Sequence, residues 1–131
     1  MAQITLADYI TLRDSAVTLN GFSNQSIHFD VSLPSTFVKG TSKARPILQF
    51  KLYTARDSKI FIGINNQTTF STVVHKQNHW ISWHELLNGS LFNPGETNRI
   101  LIALQSSESD EDAGEVGISD VVLMFQQKID I

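Results

Sequence analysis

Residues 26–33 read SIHFDVSL, and apolar and polar side chains alternate along the whole stretch. Ile27, Phe29, Val31 and Leu33 fall on one side of an extended chain, with Ser26, His28, Asp30 and Ser32 on the other. A period of two is what a strand shows when one face is buried and the other meets water. The same pattern recurs outward from this stretch. ILQFKLY (47–53) sets Leu48, Phe50 and Leu52 against Gln49 and Lys51. KIFIGIN (59–65) sets Ile60, Ile62 and Ile64 against Lys59, Phe61 and Gly63. RILIALQ (99–105) is apolar on both parities, Ile100, Ile102 and Leu104 opposite Leu101 and Ala103, and reads as an interior strand covered on both sides. Weaker strands are expected at Tyr9–Leu12, Ala16–Asn20 and Thr69–His75. In EVGISDVVLMFQQ (115–127), Val116 and Ile118 share a face, whereas Val121, Leu123 and Phe125 continue on the opposite parity. A one-residue slip of this kind places a β-bulge near Ser119-Asp120. About eight short strands, joined by turns rich in Gly, Pro, Asn and Asp, predict an all-β protein, an antiparallel β-sandwich or jelly roll. With no internal repeat and no change of composition, residues 1–131 are expected to form one domain.

Composition narrows the function classes. Charged residues make up 18% of the 131 and apolar ones 41%, a globular balance. The net charge is −3 and the ten Lys and Arg residues are scattered, so no basic stripe exists to neutralise a run of phosphates, and nucleic acid is not the expected partner. No cysteine is present, which excludes disulfides, thiolate metal sites and a cysteine nucleophile. No apolar run approaches the roughly 18 residues of a membrane helix, and membrane insertion is not expected. Met1-Ala2-Gln3-Ile4 lacks the basic and apolar regions of a signal peptide, so a cytoplasmic location is the default expectation.

Residues 78–104, NHWISWHELLNGSLFNPGETNRILIAL, hold both tryptophans. Ser82-Trp83-His84-Glu85 fits a capping box, Leu86 and Leu87 follow, and Asn88-Gly89 supplies an exit, so a short helical turn is expected near 83–88. Asn93-Pro94-Gly95 then reads as a tight turn into the strand that begins at Arg99.

These pieces resemble the galactose-binding-like β-sandwiches found as carbohydrate-binding modules and as sugar-binding domains of many glycosidases. The matching residues are Ile62–Asn66, Trp80–Trp83, Leu86-Leu87, Pro94-Gly95 and Asn98–Leu104, and GISDVVLMF (Gly117–Phe125) is similar to that fold's final strand. The likeness covers about half the chain, and its motifs are structural, not catalytic. Two departures stand out. Gly95-Glu96-Thr97-Asn98 is one residue longer than the commoner Gly-x-Asn, and Asn65-Asn66 replaces an Asn-Gly. The resemblance implies the fold, with carbohydrate binding as its most frequent use.

Trp83, beside Leu86 and Leu87, reads as a core residue. Trp80 follows the polar run Lys76-Gln77-Asn78-His79 and is the candidate platform for the apolar face of a sugar ring. Asn65, Asn66, His75 and His79 complete the candidate ligand-binding set, and Tyr53 is a weaker candidate, read in preference as a satisfied edge tyrosine. His75, His79 and His84 crowd together, yet their spacing matches no common metal motif, and His84-Glu85-Leu86-Leu87-Asn88 lacks the second histidine of a zincin helix. No metal and no cofactor are expected. Ser106–Gly114, SSESDEDAG, reads as a solvated hairpin loop in preference to a calcium loop, since it lacks the EF-hand pattern. Asp120, at the expected bulge, is better placed than that run to reach a ligand or a loop. No nucleophile elbow or phosphate loop appears, and an enzyme is not expected. The sequons at Asn24, Asn66 and Asn88 are expected to be idle without a signal peptide. Two functions remain: a lectin-like carbohydrate-binding module, or an assembly protein that binds its own copies or a protein partner through a β face or edge. A homo-oligomer fits both.

Overall fold

The computed structural model describes residues 2–40 and 45–131. Nine strands run through them: β1 (Gln3–Arg13), β2 (Val17–Asn20), β3 (Ser26–Ser32), β4 (Ile47–Arg56), β5 (Ser58–Ile64), β6 (Gln67–Val74), β7 (Ile81–Leu86), β8 (Thr97–Leu104) and β9 (Glu115–Asp130). They form two antiparallel sheets. One has the order β1-β9-β4-β7, with β2 pairing β9 beyond the end of β1. The other has the order β3-β8-β5-β6. The expected all-β sandwich is what the chain forms.

Alternation decides which side chains face the middle. Phe29 and Val31 of β3, Leu48, Phe50 and Leu52 of β4, and Ile60, Ile62 and Ile64 of β5 are all buried. Ile100, Ile102 and Leu104 of β8 meet Val116, Ile118, Val121 and Leu123 of β9 in the same core. Burying such a side chain contributes about 1.5–3 kcal/mol, so the inner faces hold the layers together. Leu101 and Ala103 correct the expectation for β8. The strand lies between β3 and β5, but its outward side chains are only half-buried. Interior position within the sheet, not a third layer, accounts for its apolar character.

The stretch expected as a helical turn at 83–88 is strand β7, paired with β4 from Ile47↔Leu86 to Leu52↔Ile81. Trp83 lies opposite Phe50 and is half-buried at the open side of the sandwich, 6.4 Å from Phe70, with Nε1 donating to Glu85 Oε1 at 3.0 Å. The helical turn follows β7, as a single 3-10 turn at Gly89–Leu91. Asn88 starts that turn instead of ending one: its Oδ1 accepts from Ser90 N at 3.1 Å. Gly89 is obligatory, since a Cβ there would lie 1.4 Å from the Lys39 carbonyl oxygen.

The bulge falls where the parity break put it. Gln49 pairs with Val122 and Lys51 with Ser119, so β9 carries one residue more than β4 across this interval, and Asp120 adopts φ 52°. Ile118 and Val121 both stay in the core. Ser119 and Asp120 therefore stand side by side on the outer face of the five-stranded sheet.

No helix among the described residues is long and apolar enough to cross a membrane.

Candidate functional site

Strands β4 and β9 pair so that Tyr53 lies opposite Gly117 and Lys51 opposite Ser119. These residues alternate with the buried Leu52, Thr54, Val116 and Ile118, so they point away from the core. The connection from β6 to β7, residues 75–80, brings Trp80 over this outer face. Its ring centroid is 5.7 Å from that of Tyr53, with the planes tilted by 50°. Gly117 makes room for it: a Cβ there would come within 2.9 Å of Trp80 Cη2. The indole is held against the sheet on one side and is still 44% exposed. A fixed, wet aromatic plate costs little entropy when a ring stacks on it.

Two hollows flank the indole. One, of 260 Å³, is lined by Ala16, Val17, Thr18, Tyr53, Ala55 and Glu115, together with Gly117. The other, of 300 Å³, is lined by Lys51, Ser119 and Asp120. Here the bulge supplies the polar groups: Ser119 Oγ donates to Asp120 Oδ2 at 3.0 Å, and Lys51 Nζ lies 3.7 Å from the same oxygen. The pair is half-exposed, so it adds little to stability and leaves a donor and an acceptor facing outward.

The connection that carries Trp80 is pinned at its start. Asp57 Oδ1 accepts from Lys76 N at 2.7 Å, and Gln77 N donates to Thr54 O at 3.0 Å. That backbone donor, with His75 Nδ1 3.6 Å from the carboxylate, holds Asp57 below its ordinary pKa.

The five residues singled out by sequence are not brought together. Trp80 stands at the outer face of the five-stranded sheet, and His79 precedes it as an exposed loop residue. His75 lies at the root of the same connection, against Asp57. Asn65 and Asn66 form the two-residue turn from β5 to β6 in the other sheet, with φ 49° and 69°, the left-handed pair that a type I′ hairpin requires. The Asn65 amide is engaged internally, donating to Leu91 O at 2.9 Å and Asn98 Oδ1 at 2.8 Å while its oxygen accepts from Arg99 N at 2.9 Å. Asn66 is exposed and borders a 320 Å³ hollow with His28, Gly63, Arg99 and Leu101, on the outer face of the four-stranded sheet. Tyr53, Lys51, Ser119 and Gly117 join Trp80 only through the register of β4 with β9. The parity break marked Ser119 and its neighbour Asp120 in the sequence, whereas Tyr53, expected at an edge, lies on the interior strand β4, between β9 and β7.

Elsewhere, a hollow of 410 Å³ lies by the 106–114 loop, bordered by Asp57, Lys59, Gln105 and Asp112, with no aromatic side chain in its lining. Among the described residues, no group of three His, Cys, Asp or Glu side chains is placed to hold a metal ion.

No protein-family model and no curated protein matches the chain. Solved structures match it in fold. A family 35 carbohydrate-binding module from Clostridium thermocellum superposes with a TM-score of 0.54 at 16% identity, over 90% of this chain and 98% of that one. The CBM36-1 domain of a multidomain xylanase from the hindgut metagenome of Trinervitermes trinervoides gives 0.53 at 7% identity, over 91% and 96%. Dimeric latent PorU from Porphyromonas gingivalis gives 0.61 at 8% identity, over 94% of this chain, which spans only 13% of that protein. The chain thus has the β-sandwich fold of these carbohydrate-binding modules, as its sequence resemblance implied.

Proposed function

We propose that this chain is a non-catalytic carbohydrate-binding module whose ligand stacks on Trp80 at the outer face of the five-stranded sheet. The observation that carries the reading is the half-exposed indole, fixed over Gly117 and beside Tyr53, with Ser119, Asp120 and Lys51 next to it. Sugars offer an apolar face and a ring of hydroxyls, and this arrangement offers the complement to each. The fold neighbours described as carbohydrate-binding modules, one of them in complex with calcium and xylotriose, lend support without fixing the sugar. Neutral and acidic glycan arrays, probed with the native chain and with Trp80→Ala, test it. Binding that the substitution abolishes is expected. An array with no binding, or binding indifferent to Trp80, overturns the reading.

A second reading, assembly through an edge, is favoured by β1. Among the described residues this eleven-residue strand pairs only β9, and it exposes Ile4, Leu6 and Tyr9. Self-association would also give a weak sugar site useful avidity. Light scattering of the native chain and of Leu6→Lys tests it: an oligomer that the substitution dissociates is expected, and a monomer at all concentrations refutes it.

A further inference from the structure

Building on the sugar-binding reading, we infer that the Trp80 site takes the interior of an extended, neutral glycan chain lying along β4 and β9. The two hollows lie in opposite directions along the same strands. Ala55 and Glu115 border one, Lys51, Ser119 and Asp120 border the other, and Trp80 belongs to both. From Glu115 to Ser119 is four steps of β9, roughly 13 Å at the rise of a strand, which exceeds the length of one pyranose ring. A ring seated on the indole therefore has built surface under its neighbour on each side. Both hollows open to solvent, so neither forms the closed wall that would select a chain end.

The chemistry agrees with a neutral ligand. Lys51 and Asp120 compensate each other across 3.7 Å, so a sugar carboxylate or sulfate gains no net attraction there. Vicinal hydroxyls on one ring, by contrast, can accept from the ammonium and donate to the carboxylate. On the other side, Ala16, Val17, Thr18 and Ala55 supply a mainly apolar floor with Glu115 at its rim.

Calorimetric titration with cello-, xylo-, manno- and laminari-oligosaccharides of increasing length, from the monosaccharide upward, tests the inference. For at least one ladder, affinity is expected to rise about tenfold or more from monosaccharide to trisaccharide and then level off. Borohydride reduction of the terminal sugar should leave binding of the longer members unchanged. Asp120→Ala and Thr18→Trp should each remove part of the gain with length and leave circular dichroism intact, and Ala55→Trp fills the same hollow should Thr18→Trp fail to fold. Equal affinity for monosaccharide and longest member, or loss on reduction, overturns the inference and leaves the sugar-binding reading standing. Absence of binding to every ladder and to the arrays removes both.

Discussion

The indole of Trp80 rests on the bare backbone of Gly117, so closely that a methyl group there would approach it to 2.9 Å. The atom it would meet is the far end of a side chain on a loop, which can move away. Gly117→Ala is therefore expected to shift the indole while changing stability by less than about 1 kcal/mol. In a Trp83→Phe background, Trp80 emission should change and glycan affinity should fall about tenfold, with only a small shift of the urea midpoint. Unchanged emission would mean that the glycine does not seat the ring.

Asn98 is fully buried and its amide is saturated. Its oxygen accepts from Asn93 N and Asn65 Nδ2, and its nitrogen donates to the carbonyls of Asn93 and Glu96. Asn98→Ala strands these partners and is expected to cost about 2–4 kcal/mol in urea unfolding. A loss near zero would mean that water replaces the amide.

Asn66→Gly separates the two outer faces functionally. Glycine at the second left-handed position of the β5–β6 turn is expected to raise stability by about 0.5–1 kcal/mol. Glycan binding through Trp80 should not change, because Asn66 borders the hollow on the other sheet. Weakened binding would show that the ligand lies on the four-stranded face.

Asp57 sets a pH dependence. Its folded pKa lies below the ordinary 3.8, so its contribution is complete above that value and is lost as pH falls through the lower, folded one. The amides of Lys76 and Gln77, which donate to Asp57 Oδ1 and Thr54 O, should stay protected near neutral pH and lose protection as pH falls below 3.8 through the lower, folded value. Asp57→Asn, which keeps an acceptor for Lys76 N, should flatten that profile. Asp30, held below its ordinary value by the hydrogen-bonded Arg99, behaves with the same sign on the other sheet, and Arg99→Gln should raise its pKa in NMR titration.

Periodicity made the interior legible and left the periphery obscure. Each face buried by two pressed sheets wrote its alternation into the chain, and the extra residue at Asp120 showed as a break in parity. Gln3–Asp8 of β1 went unread although Ile4 and Leu6 alternate with Gln3 and Thr5, because Asp8 interrupts the series before Ile10 and an exposed edge selects no long apolar period. β7 was misread for a related reason. Ser82 and Glu85 satisfy a capping pattern, but pairing with β4 across six residues outweighs a local cap worth about 1 kcal/mol. The polar run before Trp80 made its exposure legible. Its companions were not, since Tyr53, Lys51 and Gly117 meet only after β4 and β9 have found their register.

Strand β9 receives β1, β2 and β4, so three segments that precede it in the chain wait for it to be made. On the ribosome the four-stranded half can close first, whereas the face that bears Trp80 is completed only after residues 115–120 of β9 have emerged. Such distant pairing places folding in the slow regime of milliseconds to seconds, with apolar strands unshielded in the meantime. A nascent chain halted inside the 106–114 loop should consequently lack the completed Trp80 face and recruit chaperones.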